Sequence, residues 1–178
     1  MIKTHSTYIA YLQNLAEKHI EIKHNNPDSH FARIMLDSNP FVGGHMQIAE
    51  FINSMRTKLK PPFVLAIGYS ATYKDMRADN PVKKLECAFI IMDKVRLDDH
   101  DSEEEVYDRT ERIGDEFLGY ILEDYCENEE YGFVEINEMD NEKIAKVTAD
   151  NYFGTKFNFT IKVNVYDQLE FKPAQFGM

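Results

Sequence analysis

Residues 155–165, TKFNFTIKVNV, sort their side chains by parity. Phe157, Phe159, Ile161, Val163 and Val165 fall on one side, and Lys156, Asn158, Thr160, Lys162 and Asn164 fall on the other. Successive side chains of a strand point to opposite faces, so the stretch reads as a long strand with one buried flank and one polar flank. At about 3.3 Å per residue it extends roughly 36 Å, more than a small sheet needs, and is expected to protrude. The rest of the chain must supply strand partners and an apolar layer for one flank. The polar flank must meet water or another molecule.

The remaining elements supply such partners. Residues 3–20 read as a helix, with Ile9, Leu12, Leu15, Ala16 and His19 near a 3.6-residue period and Tyr8 and Tyr11 beside them. The loop HNNPDS precedes a short extended segment at 31–36, which SNPFVGG interrupts. A second helix is expected over about 45–59, with a stripe of Ile48, Phe51, Ile52, Met55 and Leu59, stopped by Pro61 and Pro62. Strands follow at 63–73 and 84–95, the latter apolar on both faces. The strongest helix is expected at 102–125, with a stripe of Val106, Thr110, Ile113, Phe117 and Ile121. Ser102 with Glu105, or Asp101 with Glu104, matches a capping box. Further strands fit 132–139 and 143–149 ahead of the long one.

This order answers best to an α+β fold: an antiparallel β-sheet with helices packed on one face and a long C-terminal strand. Residues 1–166 form a single domain, and 167–178, DQLEFKPAQFGM, form an extended C-terminal arm without periodicity. At 178 residues the chain is long enough to bury about 70% of its unfolded surface. Its longest apolar run, AFIIM, is far shorter than the ~20 residues of a membrane-spanning helix. The first twenty residues lack the apolar core and cleavage site of a secretory signal. Cys87 and Cys126 read as reduced thiols of a protein made in the cytoplasm.

The net charge of −11 is concentrated: residues 98–130 hold 15 of the 31 acids against only Arg109 and Arg112, a balance of −13, leaving +2 elsewhere. Such a surface repels phosphate backbones, so gripping of nucleic acid is not expected. Glu104, Asp108, Glu111 and Asp115 lie at i, i+4, i+7 and i+11, an acidic face opposite the apolar stripe. This face reads as a solubilising surface, a partner face or the lining of a channel.

No catalytic motif emerges, and no cofactor or metal is expected. Asp98, Asp99, His100 and Asp101 cluster, but the alternating ligands, central Gly and terminal Glu of a calcium loop are absent. His5, His19, His24, His30, His45 and His100 show no metal-binding spacing. Gly43 and Gly44 precede a helix without the frame of a phosphate loop. Neither cysteine has a neighbourhood that would activate it. Phe171 and Phe176, in an arm with no local core to join, suit docking onto a neighbouring subunit.

The succession HNNPDSHFARIML, KPPFVLAIGY, KKLECAFIIMDKV, SEEEVYDRTERIGDEFLGYILED and NYFGTKFNFTIKVNV resembles small structural proteins from tailed phages and phage-like particles of Bacteroidetes-type bacteria. It is similar to the tail-terminator, head–tail joining and ring proteins of the neck and tail. The resemblance covers most of the chain as a pattern of elements. It implies a non-enzymatic virion subunit, made in the host bacterial cytoplasm, that assembles into a homo-oligomeric ring of sixfold or twelvefold symmetry. Adjacent neck or tail proteins are its implied partners, with DNA passing through the channel unbound and no membrane involved. No catalytic residue is carried over.

Two other classes remain open at this stage. One is a small cytosolic enzyme or ligand-binding domain with a cleft between the sheet and helix 102–125. The other is an acidic adaptor for a basic partner, whose binding would weaken steeply with salt. If the ring reading holds, Lys156, Asn158, Thr160, Lys162 and Asn164 meet an adjacent copy or the next ring. Glu at Asn158 and Thr160 is then expected to disrupt oligomers while leaving the monomer folded.

Overall fold

The computed structural model describes residues 2–25, 29–36, 44–55, 57–75, 81–96, 100–128, 132–147 and 151–176. At its centre the most apolar strand, β3 (Pro81–Lys94), pairs antiparallel with the opening stretch, β6 (Tyr152–Asn164), from Val82–Asn164 to Lys94–Tyr152. Around this pair the chain runs α1 (His5–Lys18), β1 (Ser29–Ile34), α2 (Gly44–Met55), β2 (Leu59–Asp75), β3, α3 (His100–Glu127), β4 (Phe133–Val134), β5 (Asp140–Ile144), β6 and α4 (Tyr166–Leu169). The sheet order is β1-β2-β3-β6-β4, with β5 also on β6. This is a mixed α+β fold whose sheet is antiparallel except for the β1–β2 pair, which is parallel because α2 carries the chain back across the sheet.

The apolar flank of β6 packs as its parity requires. Phe157, Phe159, Ile161, Val163 and Val165 join Leu85, Cys87, Phe89 and Ile91 of β3 in one core with α1 (Tyr8, Leu12, Leu15) and α3 (Ile113, Phe117, Ile121). A second core lies on the opposite face, where α2 contributes Ile48 and Ile52 against Phe63, Leu65, Ile67, Ile90 and Met92. The expected packing of all helices on one face is therefore corrected: α2 covers the other. The reason is visible in β2, where Phe63, Val64, Leu65 and Ala66 are all fully buried, so both parities need cover.

Several boundaries differ from expectation. The second helix ends at Met55, and Pro61 and Pro62 lie within β2, before its antiparallel pairing begins at Phe63. A residue without an N–H is tolerated there. An extra β2 residue between Ile67 and Ser70 shifts the register against β3, so Tyr69 turns to the α1 side although Ile67 faces α2. Helix α3 begins at His100, which places both proposed capping boxes inside it, and Ser102 Oγ instead accepts the Arg96 N–H at 3.1 Å. The expected strand 132–139 shrinks to β4 and a 3₁₀ turn at Ile136–Glu138. That turn takes up the surplus chain between Val134 opposite Ile161 and Asp140 opposite Asn158. The C-terminal arm is coiled, not extended: α4 is followed by a 3₁₀ turn at Pro173–Phe176, and Phe171 stacks on Phe176 at 5.5 Å.

Close approach of α3 to the sheet depends on Gly114. A Cβ there would stand 2.0 Å from the Phe157 ring, and Phe157 itself stacks on Phe89 at 5.2 Å and 14°. Gly114→Ala should therefore destabilise the fold by about 1–3 kcal/mol in urea titration, although Ala is ordinarily the better helix former by about 1 kcal/mol. Adding Phe157→Leu should recover part of the loss. A Gly114→Ala chain as stable as the parent would show that the contact yields without cost.

Candidate assembly surfaces

The polar flank of β6 faces the α2 side of the sheet, and its own chain answers most of it. Lys156 Nζ donates to Glu142 Oε1 at 2.8 Å, Asn158 Nδ2 to Asp140 Oδ1 at 2.5 Å, and Lys162 Nζ to Glu135. Thr160 is 4% exposed and lies near the Glu138 carboxylate, which Lys84 holds at 2.7 Å. Asn164 is exposed, with Oδ1 accepting the Tyr166 N–H at 2.9 Å. Acids from β5 and the 3₁₀ turn thus form a ladder of cross-strand pairs along the flank. A shallow depression of about 500 Å³ runs beside it, lined by Lys84, Glu86, Glu138, Asp140, Lys156 and Asn158. Asn158→Glu or Thr160→Glu would set a second carboxylate beside Asp140 or Glu138, so those substitutions disturb the fold as well as any contact outside it.

On α3, Glu104, Asp108 and Asp115 of the acidic face are exposed. Glu111 is only half-exposed and is held by Lys143 at 2.5 Å and Asn141 at 3.3 Å, so the face is neutralised where it meets β5. The two arginines of the acidic segment work on the other flank. Arg112 bridges Glu21 (2.6 Å) and Glu116 (2.9 Å), and Arg109 bridges Glu21 (3.0 Å) and Asp93 (2.8 Å). His19 Nε2 meets Glu116 Oε2 at 2.7 Å and extends the chain of charges to the end of α1. The Arg112 hydrogen bond holds the Glu21 carboxyl below the usual range, His19 chiefly does so for Glu116, and Lys143 for Glu111. Burial pushes Asp93 the other way, outweighing Arg109.

Between α3 and the sheet, the described side chains pack closely. Ile113, Phe117 and Ile121 are at most 2% exposed and pack against Phe89, Phe157 and Ile161. Among the described residues no group of three metal-ligating side chains gathers; Asp98 and Asp99 lie outside them, as does Gly43. Cys87 is buried, which pushes its thiol upward in pKa, while Cys126 is exposed. No helix among the described residues is long and apolar enough to cross a membrane.

Exposed apolar side chains collect instead around one end of the sheet. Tyr73 sits opposite Lys83, Phe133 opposite Lys162, and Val165 donates its N–H to Pro81 O, so the tip of the β2–β3 hairpin, β4 and the root of the arm share that end. Tyr73, Phe133, Tyr166, Leu169, Phe171 and Phe176 are 49–67% exposed. Beside Phe133 lies a hollow of about 550 Å³ lined by Val82, Tyr125, Cys126, Phe133, Lys162 and Val163. Phe171 and Phe176 stood out in the sequence; Tyr73, which alternates with smaller residues along its strand, and Phe133 did not. Nor did the residues of a smaller notch between the end of α1 and α3, namely Lys18, Ile20, Glu116 and Tyr120.

No protein-family model matches the chain, and comparison with curated proteins gives no significant match.

The charge chain sets a pH dependence. A carboxyl whose folded pKa lies below its unfolded value contributes stability above the unfolded value, and that stability is lost as pH falls through the folded one. Glu21, Glu111 and Glu116 are such groups, with an ordinary value of 4.5. Asp93, shifted upward, works in the opposite sense and offsets part of the loss. The urea midpoint should fall as pH drops below 4.5, and Arg112→Met should flatten that fall. An equal slope in both proteins would remove Arg112 from the account.

Proposed function

We propose that this chain is a non-enzymatic structural subunit that joins copies of itself into a closed ring, as neck and tail proteins of tailed phages do. The carrying observation is the set of large exposed apolar side chains on the arm and at its root, Tyr166, Leu169, Phe171 and Phe176, with exposed Phe133 and a hollow at the end of the sheet from which the arm leaves. Isolated exposed apolar residues are ordinary, but several around one end with an adjoining hollow mark a surface used for contact. Aromatic residues are the type most enriched in such contacts.

In this reading the core of the sheet is a rigid body and the arm is the joint. The exposed acids of α3, Glu104, Asp108 and Asp115, suit a face turned toward DNA that must slide without sticking, since like charge keeps the backbone off. The salt-bridged flank of β6 acts chiefly within the subunit, and Asn164 is its one exposed member. The particle, its neighbouring neck or tail proteins, and the DNA passing through are the partners this reading supplies.

Light scattering of the purified 20.8 kDa chain should give six or twelve times that mass, and electron images should show closed rings. Ser at both Phe171 and Phe176 should shift the mass to one copy while changing the unfolding free energy by no more than about 0.5 kcal/mol, as for surface positions. A single copy at every attainable concentration, with no particle association, would overturn the reading.

A further inference from the structure

We infer that the notch between α1 and α3 is the receptor for the C-terminal arm of a second copy, with Phe171 as the inserted side chain. This rests on the ring reading and names the joint within it. The notch has a volume of about 280 Å³ and is lined by Leu15, Lys18, His19, Ile20, Phe117 and Tyr120, with Glu116 on its rim. Ligand sites for whole small molecules run about 300–1,000 Å³, so this one suits a single side chain. Its floor is apolar, with Leu15 at 4% and Phe117 at 2% exposure, while Ile20 (75%) and Tyr120 (44%) stand uncovered at the rim.

The charges at the rim select the occupant. Lys18 Nζ is held over Tyr120, donating to its hydroxyl at 3.1 Å and lying 5.4 Å from the ring centre, and it retains two further N–H donors. Glu116, on the other side, is already held by Arg112 and His19 within the chain, so Lys18 is the charge left to an occupant. The arm carries an acid, an aromatic and a base in succession: Glu170, exposed Phe171 and Lys172. Glu170 answers Lys18, and Phe171 fills the apolar floor beside it.

The chain's own arm does not occupy this site. It coils through α4 from Val165, and Phe171 lies on Phe176 while Ile20 and Tyr120 stay exposed. Arm and notch are also different patches of one molecule. A contact between different patches is head-to-tail and closes a ring when its rotation allows, which an isologous contact cannot do.

Two experiments on the full chain test this. Lys18→Glu and Glu170→Lys should each weaken self-association about tenfold, and an equimolar mixture of the two should associate more tightly than either alone, because one supplies the notch and the other the arm. Oxidation of a chain carrying Ile20→Cys and Lys172→Cys, with Cys126→Ser, should link separate chains. A link within one chain, no link, or unchanged association in both charge variants would overturn the inference. Rings of full mass without the link would remove this joint and leave the ring reading standing. A link between chains that never exceed a dimer would keep the joint and remove the ring.

Discussion

The stack of Phe89 on Phe157 joins the two central strands and sets the distance at which everything else packs. Both rings are fully buried, 5.2 Å apart and 14° from parallel, with Phe117 and Phe159 tilted against Phe89 at 5.6 and 5.9 Å. Phe89 and the three rings packed around it fill the core between sheet and helix with few rotatable bonds, which favours one arrangement over many. Gly114 is the complement of that stack: the helix comes down onto Phe157 because no Cβ intervenes. The position of α3 then fixes Arg109 and Arg112, which hold Glu21 beyond the end of α1. Core packing and surface charge are thus one construction.

The charge itself is distributed by the same geometry. Acids dominate 98–130, yet the helix turns Glu111 toward Lys143 and Glu116 toward His19 and Arg112, while Glu104, Asp108 and Asp115 face outward. The edge of the sheet repeats the pattern with opposite origin, since Lys156 and Lys162 of β6 are answered by Glu142 and Glu135. A charged edge such as β5, with four of its five residues exposed, also discourages further strand addition. In the ring proposed above, contacts between copies would therefore fall to the arm rather than to edge pairing.

Much of this was legible from residue order, and particular residues show why. The parity of 157–165 assigned the buried flank of β6, and the 3.6-residue stripe from Val106 to Ile121 assigned the buried face of α3; all of these side chains are buried. Local signals failed where pairing overruled them. Pro61 and Pro62 look like helix terminators but sit in a strand ahead of its antiparallel partner. Tyr73 alternates with small residues as a buried position would, yet it is 59% exposed because β2 outruns the helices that cover it. The notch was not legible, since Leu15, Ile20, Glu116 and Tyr120 belong to segments about a hundred residues apart.

By itself the sequence determined that the long C-terminal strand has an apolar flank, that the charge is gathered on one helix, and that two phenylalanines end the chain without a core. Each is a local pattern, written in the spacing of side chains along one element. Only the tertiary structure decided that α2 crosses to the far face, that the polar flank of β6 is answered from within, and that a rim of Lys18 and Glu116 surrounds an open apolar notch. Those facts depend on which elements meet, and meeting is governed by packing across the sheet rather than by periodicity within a segment.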